Sequence, residues 1–294
     1  MAIIHQTSEI GQVVEEHQQQ MTVREKGTRG QWWRFVLILL ITIVALVPVA
    51  VVLFLAFTPS VNSTTSGGFT LENFSSVFAN TDVVLWLQNS LLVTLGTVIV
   101  SVIVAAPAGY VLSRGRSRAV SGYSLLLFVF QSLPVITSVI PLFILFANLG
   151  LVDNLGGLMI VYVASAMAVA TWMMAAYMDS IPISLEEAAW IDGASLFRGF
   201  WQVVLRNSLP GVLSTAIFTF LVAWNDYLIA IVFLRSAVAF TMPLGLQSFF
   251  QQNTTDWGSV MAVAVVAMIP PVAIFVLLNR YFSVGGIGGS LAGQ

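Results

Sequence analysis

Cysteine is absent from the 294 residues, which excludes disulfide frameworks, thiolate metal sites and cysteine nucleophiles together. Lysine is nearly absent, Lys26 being the only one. A phosphate-cradling loop of the form G-x-x-x-x-G-K-S/T needs a lysine near its end, and Lys26 follows Glu25, so the chain carries no ATP site of that kind. Charge of either sign is scarce, at 8% of residues against 58% hydrophobic. A soluble domain uses roughly one-quarter charged residues, so this chain lacks the means to cover a water-facing surface. A net charge of −2 offers nothing to nucleic acid. The two histidines, His5 and His17, lie in a polar tail rich in Gln and Glu and read as solvated; no metal site is expected. That tail is too long and too acidic for the start of a signal peptide, so the first apolar run reads as an uncleaved span.

What the chain has in quantity is apolar runs. A bilayer core of ~30 Å needs about 20 mostly apolar residues in helical form, because backbone groups in lipid must be satisfied within the segment. Six windows qualify, at about 35–57, 84–112, 123–149, 158–177, 212–234 and 259–282. The expected fold is therefore all-α and integral to a membrane, with six transmembrane helices. Pro48, Pro107, Pro134, Pro141, Pro270 and Pro271 fall within these windows and read as ordinary kinks.

Basic residues mark the cytoplasmic side. Arg24, Lys26, Arg29 and Arg34 precede the first span, and Arg114, Arg116 and Arg118 follow the second. Arg198 and Arg206 lie between the fourth and fifth, and Arg280 ends the sixth; only Arg235 falls among the other connections. Both termini are expected in the cytoplasm, as tails of residues 1–34 and 283–294. External connections then lie at about 58–83, 150–157 and 236–258. The first and third are long and polar enough to meet a soluble partner outside, and the first reads equally well as a plain solvated connection.

Residues 179–209, between spans four and five, are too polar to cross a membrane and too patterned to be a linker. They read as two short amphipathic helices. Ser184 with Glu187 three residues later has the spacing of a capping box, Asp192-Gly193 breaks the first helix, and Ser195 is placed to cap the second. In the second, Leu196, Phe200, Trp201 and Val204 recur at helical spacing with Arg198 and Gln202 away from them. Two readings are open from composition: a helix lying on the membrane surface, or a docking element for a partner protein.

The residues of this loop resemble the EAA loop of ABC importer permeases. Glu187-Ala188-Ala189, three residues, Gly193, nine residues, then Val203-x-Leu205 follow the spacing E-A-A, three, G, nine, I-x-L-P, with Arg206 where that pattern has proline. The likeness extends over about residues 35–294 and is similar in detail to carbohydrate permeases of the MalG type: Asn89-Ser90-Leu91, Leu149-Gly150-Leu151, Ala223-Trp224-Asn225-Asp226, Thr255-Asp256-Trp257-Gly258 and the tail after Arg280-Tyr281-Phe282 occur in the right order. The resemblance implies a MetI-like type 1 transmembrane domain over 84–282. It further implies a second, MalF-like permease subunit, two ABC ATPase subunits, an extracellular sugar-binding protein and a carbohydrate substrate. This chain would bind no cofactor, ATP and Mg being used by the partner ATPase. The loop would be a coupling helix seated in the ATPase, with Glu186, Glu187, Ala188, Ala189, Asp192, Gly193, Ala194, Leu196, Phe197 and Phe200 as the coupling residues. By the same resemblance Phe250, Gln251, Gln252 and Asn253 would touch the binding protein, and the tail from Gly285 to Gly293 would reach between the ATPase subunits.

Asp226 is the one clearly charged residue inside an apolar window, and a charge there is costly unless it faces water or a partner. Trp224, Asn225 and Tyr227 beside it offer the hydrogen bonds and aromatic faces that recognise sugars, and Gln131, with Asn89 and Ser90, either lines the same path or bonds neighbouring helices. Asp226 as a proton-coupling residue of a secondary carrier, or as a structural ion, are the competing readings. No paired carboxylates, histidine cluster or Ser-His arrangement points to an intramembrane enzyme.

Overall fold

The computed structural model describes residues 31–60, 67–251 and 256–282. Among the described residues every regular element is helical. The chain divides into two compact units, 1–55 and 56–294. The described part of the first is one helix, α1 (Gln31–Ala56), apolar along its whole length.

The second unit contains α2 (Glu72–Asn80), α3 (Val83–Arg114), α4 (Arg118–Ser132), α5 (Val135–Asn148), α6 (Leu155–Asp179), α7 (Ser184–Ile191), α8 (Leu196–Asn207), α9 (Leu209–Trp224), α10 (Leu228–Phe233), α11 (Met242–Ser248) and α12 (Trp257–Phe282). Among the described residues four helices, α1, α3, α6 and α12, are each long and apolar enough to cross a bilayer. The pairs α4 with α5 and α8 with α9 meet that test only together, bent by 96° and 72°, which gives up to six spans.

Two of the expected spans are not single helices. The window 123–149 breaks at Leu133–Pro134, where both residues are extended, with ψ of 127° and 125°. A proline ring disfavours the helical conformation of the residue before it, and here the chain turns rather than kinks. Pro48, Pro107, Pro141, Pro270 and Pro271, by contrast, lie inside continuous helices. The window 212–234 breaks between Trp224 and Leu228, where the side chains of Asn225 and Asp226 take over backbone partners. The connection 58–83 also holds more structure than expected: α2 lies within it, and Asn73, 2% exposed, donates to the carbonyls of Ala56 and Thr58.

The core is built on close approach between α3 and α6. Thr97, Ser101, Ala105, Ala106 and Gly109 of α3 are buried opposite Ala166, Ala170, Thr171, Met174 and Ala175 of α6. Small side chains let the backbones meet: a Cβ at Gly109 would lie 2.6 Å from Met174 Cβ and 3.1 Å from the Thr171 carbonyl. Such packing substitutes for the hydrophobic effect where lipid surrounds a bundle. Gly211 brings α9 against the ring of Tyr177 in the same way.

Candidate functional site

The loop that joins α6 to α9 begins with an unexpected helix start. Ser184 does not form a capping box with Glu187: the residue before α7, Ile183, is itself helical and no side chain caps the helix. A tight turn replaces it, with the Leu185 amide donating to Pro182 O and the Glu186 and Glu187 amides to Ile183 O. Ser184 falls inside the first turn and has no loop geometry from which to cap. The other end behaves as the sequence suggests. Gly193 has a φ of +86°, the Ala194 amide donates to Ala189 O at 2.9 Å and the Gly193 amide to Trp190 O at 3.0 Å. These paired bonds close the helix through a left-handed residue, a conformation glycine adopts without a Cβ penalty. Ser195 caps α8, accepting from the Arg198 amide at 3.3 Å.

Glu186 is 1% exposed and turns inward. Its carboxylate accepts from Arg114 Nε at 2.7 Å and from the Tyr110 hydroxyl at 2.7 Å, both at the end of α3. Arg114 also donates to Ile181 O at 3.1 Å and to Ser113 Oγ at 3.0 Å, and Ser113 in turn donates to Asp179 at 2.6 Å. Arg114 served in the sequence only as a marker of sidedness, and Tyr110, Ser113 and Asp179 were not singled out. The one signal available was a cluster of polar residues at the ends of two neighbouring spans.

Past this root, the loop presents an apolar rim. Ile191 is 86% exposed, Phe197 74%, Leu196 64% and Trp201 59%, with the Phe197 and Trp201 rings stacked. Glu187, Ala188, Asp192 and Gly193 are exposed beside them, and Ala189 and Ala194 are partly so. Phe200 is buried instead, its ring 4.9 Å from that of Tyr110, and packs with Val204 against Ala105, Ala106 and Met174. So the expected apolar face of α8 is split: Phe200 and Val204 hold the helix down, while Leu196 and Trp201 point away from the core. Part of the reason is a wide turn over Phe200–Val204, which shifts the register by a residue. The helix runs through Arg206 to Asn207 before bending into α9.

The residues expected on a solute path are not all brought together. Gln131 lies on a cavity of about 440 Å³ between the α4–α5 break and α6, with Ser138 and Ser165. Trp224 and Asn225 line a different one of about 490 Å³, with Pro243, Met268 and Pro271. Trp224 donates to Ala267 O at 3.2 Å, and Asn225 donates back to Leu221 O at 2.8 Å. Asn89 is 7% exposed and donates to Val238 O and Phe240 O, both at 2.9 Å, tying α3 to the 234–242 segment. Asp226 caps α10: one carboxylate oxygen accepts from the Tyr162 hydroxyl at 2.7 Å and from the Ile229 and Ala230 amides at 3.1 Å. Tyr227 packs on the core formed by α6 and α10.

At this end the chain folds back on itself. The Met242 amide donates to Ser90 Oγ at 2.7 Å, Met242 and Leu244 are buried, and Gly245 sits against the Trp86 ring. Asp153, with φ of 55°, accepts from the Arg235 and Ser236 amides at 2.9 Å, which holds its carboxyl below the ordinary carboxylate range. Arg235 lies over the Phe143 ring at 4.9 Å. Phe250 is 43% exposed against Trp257, while Gln252 and Asn253, the side chain of Gln251 and the Gly285 to Gly293 tail lie outside the described residues.

Residues 101–284 match the family model described as binding-protein-dependent transport system inner membrane component. Among curated relatives, the trehalose transport system permease protein SugB of Mycobacterium tuberculosis is 30% identical over 90% of this chain and 98% of its own. The inner membrane ABC transporter permease protein YcjP of Escherichia coli is 32% identical over 76% of this chain and 81% of its own. The maltodextrin transport system permease protein MdxG of Bacillus subtilis is 29% identical over 78% and 82%. A solved bacterial ABC transporter involved in the import of the acidic polysaccharide alginate shares the fold at a TM-score of 0.72 and 23% identity, over 84% of this chain and 94% of that one.

Proposed function

The chain belongs to the binding-protein-dependent transport system inner membrane components and is a permease subunit of an ABC importer, and from that premise we propose that it forms half the translocation path of a carbohydrate importer, driven through the loop between α6 and α9. It is a multi-pass membrane protein and not an enzyme by itself; ATPase and binding-protein partners follow from the family.

The observation that carries the docking reading is the apolar rim of Ile191, Leu196, Phe197 and Trp201, exposed at the side of the loop away from the bundle. A helix resting on lipid would suit the aromatic pair, but it leaves the open space around Gly193 without purpose. A Cβ there would meet nothing within 4 Å, so the surface next to the turn is free to receive another protein. The proposed occupant is a separate ATPase subunit, with ATP and Mg held on its side and both termini of this chain on the same side. The carbohydrate assignment is supported by relatives named for trehalose and maltodextrin transport. A MalF-like second permease and a sugar-binding protein complete the assembly. Glu187, Asp192 and the exposed rim are the coupling contacts, whereas Glu186 and Phe200 support the loop from inside.

The test is uptake together with co-purification. Phe197→Asp, Gly193→Leu and Glu187→Ala are expected to insert normally, lose the ATPase on purification and import no sugar. Normal uptake in all three would refute the docking site. Ligand identification on the binding protein tests the sugar separately.

A further inference from the structure

The loop is fastened to α3 by charge, and the manner of fastening has a mechanical consequence. Arg114 is 15% exposed in its side chain and Glu186 1%. The guanidinium spreads over three elements: Nε on Glu186 of α7, one terminal nitrogen on Ile181 O in the stretch leaving α6, the other on Ser113 Oγ, which passes the chain to Asp179. Tyr110 repeats the bridge one turn earlier, its hydroxyl on Glu186 and its ring on Phe200 of α8. The two side-chain bonds that root α7 through Glu186 thus end on the last two turns of α3, and Arg114 and Ser113 carry them on to the end of α6. Around them, Phe200 and Val204 pack on Ala105, Ala106, Ala170, Met174 and Met178.

A loop held only by apolar contacts slides, because such contacts are non-directional. A buried guanidinium–carboxylate pair does not, since any displacement that parts the charges strands them away from water. The geometry points to Arg114 and Glu186 as a clamp that makes α7, α8 and the end of α3 move as one body. A push on the apolar rim is then delivered to α3, a helix that crosses the bilayer, and not absorbed in the loop. Arg114 is accordingly a positioning residue for transport: it touches neither the ATPase nor the solute. This inference rests on the coupling role proposed above, and its test separates the two.

The absence of cysteine makes the native chain a background for site-directed spin labelling. Labels at Val111→Cys on α3 and Gln202→Cys on α8, both exposed and outside the docking rim, report the distance between the two bodies in the assembled transporter. With Arg114 and Glu186 intact, the distance distribution is expected to be narrow and to stay narrow through ATP binding. In Arg114→Gln and in Glu186→Gln it broadens. Import per ATP hydrolysed is expected to fall roughly tenfold in the same variants while the ATPase still co-purifies and hydrolyses ATP, the scale of effect known for changes along a coupling route. The double variant is expected to be no worse than either single one. Arg114→Lys keeps a cation beside Glu186 but loses the fork to Ile181 and Ser113; it gives a partial broadening and serves if a neutral variant fails to insert. Unchanged distances in the variants, or unchanged import per ATP, would overturn the clamp. If the native chain with its ATPase neither hydrolyses ATP nor imports, the coupling role falls, and the label distances still decide whether the two elements move together.

Discussion

Among the described residues two carboxylates are held by a tyrosine hydroxyl at 2.7 Å, and they are held for different ends. Glu186 pairs Tyr110 with the Arg114 guanidinium, so its partners come from another helix 72 and 76 residues earlier in the chain. Asp226 pairs Tyr162 with the amides of Ile229 and Ala230, three and four residues ahead of it. Among the described residues, no cation holds Asp226. The first arrangement joins separate elements and resists being pulled apart. The second stabilises one bend: it satisfies amides that the break in the fifth span leaves open, and an anion at a helix start is favoured by the backbone dipoles. A charge inside an apolar window is therefore not by itself a sign of solute or proton chemistry. What surrounds it decides.

The comparison breaks most visibly at Arg114. Arg114→Ala strands the buried Glu186 carboxylate and is expected to cost about 3–5 kcal/mol, the usual penalty for removing one partner of a buried pair. Thermal unfolding of the purified protein in detergent would measure it. Tyr162→Phe takes away one of three donors from Asp226 and leaves both amides, so a loss of about 2 kcal/mol is expected, in the range for a hydrogen bond to a charged group. Equal losses in the two variants would erase the distinction. Asp226→Asn sharpens it, because its remaining carbonyl oxygen still accepts from the amides: uptake is expected to survive, whereas a proton-coupling residue would tolerate no such change.

How far these features were legible follows from their physical origin. Hydropathy sets the number of spans, because length and apolarity are local properties. The break at Pro134 looked like the other prolines, and what separates it is that Leu133 and Pro134 both go extended, whereas the other prolines lie inside continuous helices. Glu186 and Glu187 are neighbours on a helix and project about 100° apart, so only one can face inward. Which one does depends on where α3 places Arg114, and nothing within the loop records that. The motif spacing groups Glu186 and Phe200 with the residues of the loop surface, although both are buried. At the other end, the sequence leaves two readings open for Asn89 and Asp226, lining a path or bonding within the fold, because a polar residue in an apolar window suits both. Each satisfies backbone left open by an irregular segment, a partner that sequence spacing does not record.

A smaller effect is expected at the turn. Gly193→Ala places a Cβ in open space but forces a left-handed φ of +86°, which costs about 1 kcal/mol. Gly193→Asn is expected to cost less, since asparagine visits this region more readily. If the stability loss is that small while Gly193→Leu abolishes uptake, the requirement at this position lies in the partner and not in the fold. A large loss of stability with alanine would instead place the requirement in the turn itself.

The smallest effect is one of pH, at the clasp between Asp153 and the segment after α10. The Ser236 and Arg235 amides hold the Asp153 carboxyl below its usual value, so the folded protein favours the charged form more than the unfolded chain does. For a group lowered on folding, the stabilisation is fully present above the unfolded value, about 3.9, and is lost as pH falls through the folded one. Stability should accordingly not vary through Asp153 near neutrality and should weaken only in acid below about pH 4. Asp153→Asn keeps the side-chain acceptor and tolerates the positive φ of 55°, so it is expected to remove this acid-dependent part, its melting temperature at neutral pH falling by about what the native protein loses in acid. The same measurement on Tyr162→Phe should keep the acid-dependent part, since that change does not touch the clasp. Melting curves between pH 3 and pH 7 for the two variants would show whether the end of the bundle holding Asp153 is fastened by this exposed turn or by the buried bonds of Asn89 and Ser90, which carry no charge to titrate.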